Sequence, residues 1–162
     1  GIPFPSMRIL LVCTGNTCRS PIAEALLRQK LVERGVDGVT VSSAGTGAWD
    51  GAPASEGAYL VALEHGLDLS GHRAHLLTRE LASAADLVLT MAHHHRARVE
   101  QLGASGNAFL LGEYAGQSGL EAEVHDPFGG DLEGYRETWA QLDTLLEGVV
   151  ARLARERSGD RR

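Results

Sequence analysis

The chain has 162 residues, 22% of them charged, and a net charge of −6, as is typical of one globular domain. The negative charge argues against nucleic acid or an anionic membrane as a partner, no apolar run is long enough to span a membrane, and no signal peptide opens the chain. The only two cysteines, Cys13 and Cys18, exclude a disulfide scaffold and favour a reducing, cytoplasmic location.

Met7 marks the expected start of the folded domain. Residues 1–6 contain two prolines and no methionine, which is typical of an expression-tag remnant. A single domain is expected over residues 7–157, because no linker, repeat or low-complexity tract divides them. Residues 158–162 are expected to form a flexible tail.

Predicted strands and helices alternate along this domain. Apolar and β-branched runs predict strands at residues 8–12, 39–44, 87–91 and 108–111. Apolar residues at helical spacing predict helices at residues 21–34, 55–65, 78–84, 94–102 and 132–157. Such alternation favours a parallel sheet with helices on both faces, the α/β class.

The first and last helices have the clearest local signals. Ser20 is the expected N-cap of the first helix, Pro21 its first residue and Gly35 its terminator. In the last helix, apolar residues recur at intervals of three and four and predict one stripe that faces the core. The stripe consists of Tyr135, Trp139, Leu142, Leu146, Val149 and Leu153.

Two segments carry weaker signals. Residues 112–130 are expected to be a long connection that is too long to be a mere linker in a compact domain, with an exposed acidic loop at residues 113–123. The run His93, His94 and His95 invites a metal-site interpretation, but adjacent side chains at a helix start point in different directions and no matching ligand cluster is visible. A solvated helix start is therefore expected there.

The run from Cys13 to Pro21 is the strongest functional signal. Cys13 ends the first predicted strand, and Arg19 follows six positions later. The backbone N–H groups of such a loop and the dipole of the next helix attract an anion, and the same field favours a thiolate. A merely structural cysteine would leave Arg19 buried without an anion to pair with. The sequence therefore predicts a phosphate site with Cys13 as its nucleophile.

Phosphoryl transfer to a cysteine also needs an acid for the leaving group. Only twelve residues precede Cys13, so this acid must lie downstream. Asp126 is the candidate, because it precedes Pro127 in a segment whose two glycines let a loop fold over a pocket. An ordinary Asp-Pro turn is the alternative, and the Cys13 loop in the same chain favours the catalytic interpretation.

These motifs resemble those of the low-molecular-weight protein tyrosine phosphatases. Residues 13–20 are similar to the C-x5-R-S signature of that family and residues 126–127 to its acid loop, in the same order and over essentially the whole domain. The resemblance implies a three-layer αβα sandwich around a four-stranded parallel sheet. It also implies no metal, no organic cofactor and a phosphorylated protein as the substrate.

The resemblance implies roles for individual residues. Catalysis is expected from Cys13, Arg19 and Asp126. Phosphate or substrate contacts are expected from Thr14, Gly15, Asn16, Thr17, Cys18, Ser20, Trp49 and Phe128. The polar network that shapes the loop would consist of Asn16, Ser20, Ser43 and His72.

The second cysteine of the loop has two interpretations. Cys18 is either a small packed residue or a resolving thiol that forms a reversible disulfide with Cys13 under peroxide. The family resemblance supports the second interpretation.

Two positions depart from the usual tyrosine phosphatase pattern and are similar to the bacterial protein-arginine phosphatases, a branch of the same family. Thr17 stands where a larger aliphatic residue is usual, and Phe128 where tyrosine is common. A phosphorylated guanidinium is polar, and leaving its N–H donors buried and unpaired would cost about 1–3 kcal/mol each. Thr17 removes bulk and adds a hydroxyl, and Asp126 offers an acceptor. The sequence therefore predicts a phosphoarginine phosphatase that acts through a phosphocysteine.

Three alternatives stay open. A tyrosine phosphatase would use the same machinery, with Trp49 and Phe128 lining a pocket for the ring. A thioredoxin-coupled arsenate reductase resembles this fold and loop, but its disulfide relay needs cysteines far downstream and none follows Cys18. A non-catalytic phosphate-binding module would need neither a nucleophile nor a downstream acid. The protein substrate and the oligomeric state are not determined by the sequence.

Overall fold

Four parallel strands form the centre of the computed structural model, which describes residues 5–104 and 106–159. The strands are β1 (Met7–Cys13), β2 (Val39–Gly45), β3 (Leu87–Thr90) and β4 (Ala108–Leu110), in the spatial order β2-β1-β3-β4. Their bounds differ from the predicted ones by one residue at most. The predicted four-stranded parallel sheet and α/β class are confirmed.

Helices cover both faces of the sheet. They are α1 (Arg19–Glu33), α2 (Glu56–Glu64), α3 (Arg79–Ala84), α4 (His93–Gln101), α5 (Leu111–Tyr114) and α6 (Leu132–Gly159), with a 3-10 turn at Gly119–Ala122. Helices α1, α2 and α6 pack on one face, and α3 and α4 on the other. The result is the expected three-layer αβα sandwich.

Side-chain alternation along β1 joins the two outer layers. Ile9 and Leu11 point into the core beneath α1 and α6, whereas Leu10 and Val12 point into the smaller core beneath α3 and α4. Because both faces are covered, the strand is apolar at every interior position rather than at alternate ones. The predicted stripe of α6 is likewise buried at all six positions.

The start of α1 differs from the prediction. The helix begins at Arg19 with Cys18 as its N-cap, so Ser20 and Pro21 lie inside the first turn. Ser20 is therefore not the N-cap. Its hydroxyl contacts the thiol of Cys13 instead. The predicted terminator is correct: Gly35 adopts a φ of 65°, the left-handed conformation that ends many helices.

The connection at residues 112–130 is more ordered than predicted. It contains most of α5 and the 3-10 turn, and Tyr114 and Ala122 are buried. Helix α5 lies so close to the turn that a Cβ at Gly112 would collide with the backbone of Ala122. The expectation of an exposed loop at residues 113–123 holds for residues 116–121, which are exposed, and is wrong for residues 113–115 and 122–123, which are buried or partly buried.

The ends of the chain lie partly outside the described residues. Helix α6 continues through Gly159, so the expected tail begins no earlier than residue 160. The carbonyl oxygen of Pro5 accepts a hydrogen bond from Arg157 at 3.3 Å. Residues 1–4 and 160–162 lie outside the described part of the chain, and the tag and tail assignments stay predictions.

The strand order determines where a ligand crevice opens. In the sheet, β1 lies between β2 and β3. The connections that leave the carboxyl ends of these strands therefore diverge around the end of β1. Cys13 is the last residue of β1 and lies at this point. Among the described residues, no helix combines the length and apolarity that crossing a membrane requires.

Candidate active site

The thiol of Cys13 lies at the floor of the loop that joins β1 to α1. Its Sγ is 2.9 Å from Ser20 Oγ and accepts a hydrogen bond from the backbone N–H of Asn16 at 3.2 Å. Ser20 Oγ itself accepts a hydrogen bond from Asn16 Nδ2 at 2.7 Å. The hydroxyl hydrogen of Ser20 is thus free to be donated to the sulfur, and two donors meet at the atom that would carry negative charge.

Asn16 is the centre of the predicted polar network. It is fully buried and adopts a φ of 57°, which is uncommon for a residue other than glycine. Its Nδ2 donates to Ser43 Oγ at 2.9 Å, and its Oδ1 accepts from the backbone N–H of His75 at 2.8 Å. The carbonyl oxygen of Asn16 lies 2.7 Å from His72 Nε2, which must be the donor because a carbonyl can only accept.

Two groups extend this network beyond the predicted residues. Ser43 Oγ donates to Glu24 Oε1 at 2.6 Å, and Glu24 also forms an ion pair with Arg28 at 2.7 Å. At the end of β2, a Cβ at Gly45 would collide with the carbonyl oxygen of Thr14. Sequence reasoning missed Glu24 and Gly45, because only the packing of α1 and β2 against the loop gives them a role.

Arg19 joins the loop to the segment that carries the predicted acid. The side chain is only 5% exposed, and Nη1 donates to the carbonyl oxygen of Val124 at 3.2 Å. Nη2 lies 3.5 Å from Asp126 Oδ2. The structure therefore brings Asp126 to the mouth of the Cys13 loop, although the two residues are far apart in sequence.

Asp126 combines a fixed backbone with an accessible carboxylate. Its Oδ1 accepts from the backbone N–H of Phe128 at 3.1 Å, and 52% of its side chain is exposed. The two aromatic residues expected to contact substrate are also exposed, Trp49 at 84% and Phe128 at 74%.

Cys18 and Thr17 occupy the part of the loop next to α2. Cys18 is buried, and its thiol lies 3.2 Å from Ser55 Oγ and 3.4 Å from the Tyr135 hydroxyl. Thr17 is partly buried, with Oγ1 3.7 Å from Cys18 Sγ. Both cysteines are free thiols. Burial, followed by the hydrogen bond to Cys18, raises the pKa of Tyr135, which keeps its hydroxyl protonated.

His95 corrects the interpretation of the histidine run. His93 and His94 are exposed, but His95 is fully buried and its Nε2 lies 2.9 Å from Thr14 Oγ1. Among the described residues, no group of three or more His, Cys, Asp or Glu side chains could hold a metal ion. The expectation of a solvated helix start is thus correct for His93 and His94 and wrong for His95, because adjacent side chains at a helix start point in different directions.

The geometry defines the class of protein. A thiol that contacts a loop amide and a hydroxyl, with an arginine and a carboxylate at the mouth of the loop, is the arrangement of a cysteine-dependent phosphatase. The family described as low molecular weight phosphotyrosine protein phosphatase matches residues 8–159, and the chain belongs to it.

Relatives in this family carry two different activities in their names. The chain is 40% identical to a probable low molecular weight protein-tyrosine-phosphatase, EpsP, of Ralstonia nicotianae, over 93% of this chain and 96% of the relative. It is also 40% identical to a protein-arginine-phosphatase of Bacillus subtilis, over 93% and 99%. Among solved structures, a YwlE arginine phosphatase mutant with a phosphorylated active-site serine matches with a TM-score of 0.86 and 39% identity, over 94% and 99%.

The burial of His95 predicts a pH dependence of stability. Burial, with a smaller effect of the His94 and Arg19 charges, lowers the pKa of His95 to about 3. The unfolded chain binds a proton at this site below about pH 6.5, whereas the folded protein does not. Stability therefore falls as the pH drops below about 6.5, by about 1–2 kcal/mol between pH 6.5 and 5.

Urea unfolding at several pH values measures this loss. We expect His95→Gln to flatten the decline between pH 6.5 and 5, and His94→Gln, at an exposed neighbour, to keep the wild-type slope. An unchanged slope in His95→Gln would show that another group is responsible.

Proposed function

We propose that this protein hydrolyses phosphoarginine residues of proteins through a phosphocysteine intermediate. The observation that carries the proposal is the convergence of three groups. Cys13 Sγ lies between two hydrogen-bond donors. Arg19 is nearly buried and contacts the carbonyl oxygen of Val124 and the carboxylate of Asp126. The chemistry of each step follows from this arrangement.

In the first step, the loop binds the phosphoryl group and Cys13 attacks it. The backbone N–H groups of residues 14–18 and the Arg19 guanidinium bind the equatorial oxygens, because charge develops on these atoms in the transition state. The Cys13 thiolate forms the S–P bond as the P–N bond to the substrate guanidine breaks. Asp126 supplies a proton to the departing nitrogen, which would otherwise leave as a poor anion.

In the second step, water releases phosphate from the phosphocysteine. Asp126, now ionised, takes a proton from the attacking water, and the S–P bond breaks as the new O–P bond forms. The Ser20 hydroxyl, 2.9 Å from Cys13 Sγ, donates to the departing thiolate. The phosphorylated active-site serine of the YwlE mutant supports covalent catalysis at the position of the nucleophile.

Substitution of Cys13 and Asp126 tests this mechanism. We expect Cys13→Ser to abolish turnover without loss of folded structure, and Asp126→Asn to reduce turnover by about 100-fold or more. The measurements are p-nitrophenyl phosphate hydrolysis and thermal unfolding of each variant. Asp37→Asn is the matched control, since Asp37 is exposed and precedes β2 at the far end of the sheet. Normal turnover by Cys13→Ser would refute the mechanism.

The choice of arginine over tyrosine rests on Thr17. Relatives with 40% identity carry both activities in their names, so overall similarity does not separate the two. Thr17 is partly buried in the loop, where an aliphatic residue would suit a tyrosyl ring and a hydroxyl suits a polar guanidinium. Differences of about one methylene in a pocket change specificity by roughly 10- to 200-fold.

Side-by-side assays with a phosphoarginine peptide and a phosphotyrosine peptide test this choice. We expect the wild type to prefer phosphoarginine, and Thr17→Ile to shift the ratio of kcat/KM values toward phosphotyrosine by at least 10-fold. Thr17→Val separates the two causes, because it removes the hydroxyl and keeps the size. A ratio unchanged in both variants would contradict the role of Thr17.

A tyrosine phosphatase is the second candidate, and the exposed rings of Trp49 and Phe128 favour it. Both rings have free faces, and a bound tyrosyl ring could stack on either. A wild-type preference for the phosphotyrosine peptide would establish this alternative. A cytoplasmic location stays a prediction in either case.

We also propose that Cys18 protects the nucleophile against oxidation. Peroxide would convert the Cys13 thiolate to a sulfenic acid with loss of hydroxide, and attack by the Cys18 thiol would then form the disulfide and release water. The Cys18 thiol now contacts Ser55 and Tyr135, so it must leave these partners to react.

Mass spectrometry after mild peroxide treatment tests the proposal. We expect a loss of two hydrogens per chain and recovery of activity with a thiol reductant. Cys18→Ser should instead accumulate sulfinic acid at Cys13 and lose activity irreversibly. A sulfinic adduct in the wild type without any disulfide would exclude the protective role.

A further inference from the structure

His95 is a buried titratable residue that the proposed mechanism does not use. It is the third residue of α4, and its Nε2 meets Thr14 Oγ1 at 2.9 Å. Thr14 directly follows the nucleophile, and its side chain is exposed at the loop. The contact therefore links the second core layer to the residue beside Cys13.

The other ring nitrogen of His95 identifies the donor in this contact. Nδ1 is buried and has no hydrogen-bond partner. If Nδ1 carried the hydrogen, the structure would bury an unpaired N–H, which is rarer in proteins than a buried acceptor without a partner. The hydrogen of the neutral ring therefore resides on Nε2, which donates to Thr14 Oγ1.

This assignment determines what the Thr14 hydroxyl can do. A hydroxyl has one donor and two acceptor sites, and Nε2–H occupies one acceptor site. The hydrogen of the Thr14 hydroxyl then remains available for donation to another group. Because a lone pair of the same oxygen faces His95, this hydrogen is directed away from the core. The alternative tautomer would consume this hydrogen in the contact with Nε2.

We propose that His95 is a positioning residue, which orients the Thr14 hydroxyl so that it donates to an oxygen of the phosphoryl group in the Cys13 loop. The inference rests on the proposed phosphatase mechanism and adds a side-chain donor to its backbone donors. His95 acts only through Thr14 and touches no reacting atom.

The surroundings of His95 support a permanently neutral ring. Charged groups approach it from three elements: His94 on α4, Arg19 on α1 and Asp126 on the acid loop. Burial is the largest cause of its lowered pKa, the first two residues lower it further, and Asp126 opposes them. A neutral ring keeps the same tautomer throughout the physiological pH range, so Thr14 stays in one orientation.

A double-mutant cycle tests the proposal. The variants are Thr14→Val, which removes the hydroxyl at constant shape, His95→Leu, which removes the ring donor, and the combination of both. Thr14→Ser and His95→Gln are the conservative controls, since each keeps a hydrogen-bonding group in place. The readouts are kcat and KM with p-nitrophenyl phosphate, thermal unfolding, and calorimetric titration with orthovanadate.

We expect Thr14→Val to lower both kcat/KM and vanadate affinity by about 10-fold. It should also lower the unfolding temperature, because it leaves the buried Nε2–H of His95 without its acceptor. Thr14→Ser should restore all three. His95→Leu should lower kcat/KM and vanadate affinity to a similar extent. His95→Gln, which keeps a hydrogen-bond donor, should lower them less. In the Thr14→Val background, His95→Leu should cause no further loss of kcat/KM or vanadate affinity. If His95→Leu fails to fold, His95→Gln alone and combined with Thr14→Val completes the cycle.

The outcomes separate this inference from the proposed mechanism. Wild-type kinetics and vanadate affinity in Thr14→Val, or fully additive losses in the double variant, would overturn the role of His95 while the Cys13→Ser result still supports the phosphatase. If the wild type hydrolyses neither p-nitrophenyl phosphate nor a phosphoarginine peptide, the proposed mechanism fails. An unchanged vanadate affinity in Thr14→Val would then overturn the positioning role of His95 as well.

Discussion

The conformation of Asn16 is the constraint on which the site depends. A left-handed backbone at a residue other than glycine costs about 1–2 kcal/mol, and buried hydrogen bonds of about 0.5–1.5 kcal/mol each offset this cost. Those bonds reach Ser20 in α1, Ser43 in β2 and the backbone of His75. The side chain of Asn16 thus joins three segments, and its backbone N–H donates to the sulfur of Cys13.

The second constraint is a buried positive charge in an acidic protein. With a net charge of −6, the surface as a whole does not attract an anionic substrate, so attraction must be local. Arg19 is nearly buried and has one carbonyl oxygen and one carboxylate nearby. A buried guanidinium can donate five hydrogen bonds, so the site has donors to spare for a phosphate. The helix start and the loop amides add to the same local field.

Much of the fold could be predicted because its signals are local. The apolar runs of the strands and the 3.6-residue period of α6 report burial directly, and the strand bounds agree with prediction within one residue. The spacing of Cys13 and Arg19 is that of a short loop between the last residue of β1 and the first residue of α1. The short helix α5 and the 3-10 turn at Gly119–Ala122 were not predicted, because short helices held by contacts with distant elements leave no periodic pattern.

The sequence by itself determined which reactive groups are present and their order along the chain: a cysteine, an arginine and one candidate acid. It also determined the alternation of strands and helices that defines the α/β class. Only the tertiary structure decided which groups meet. It placed Asp126 beside Arg19, turned Ser20 from an expected cap into a partner of Cys13, and buried His95 against Thr14. The physical reason is that such contacts depend on how the connections after the carboxyl ends of all four strands converge, and no local pattern encodes that convergence.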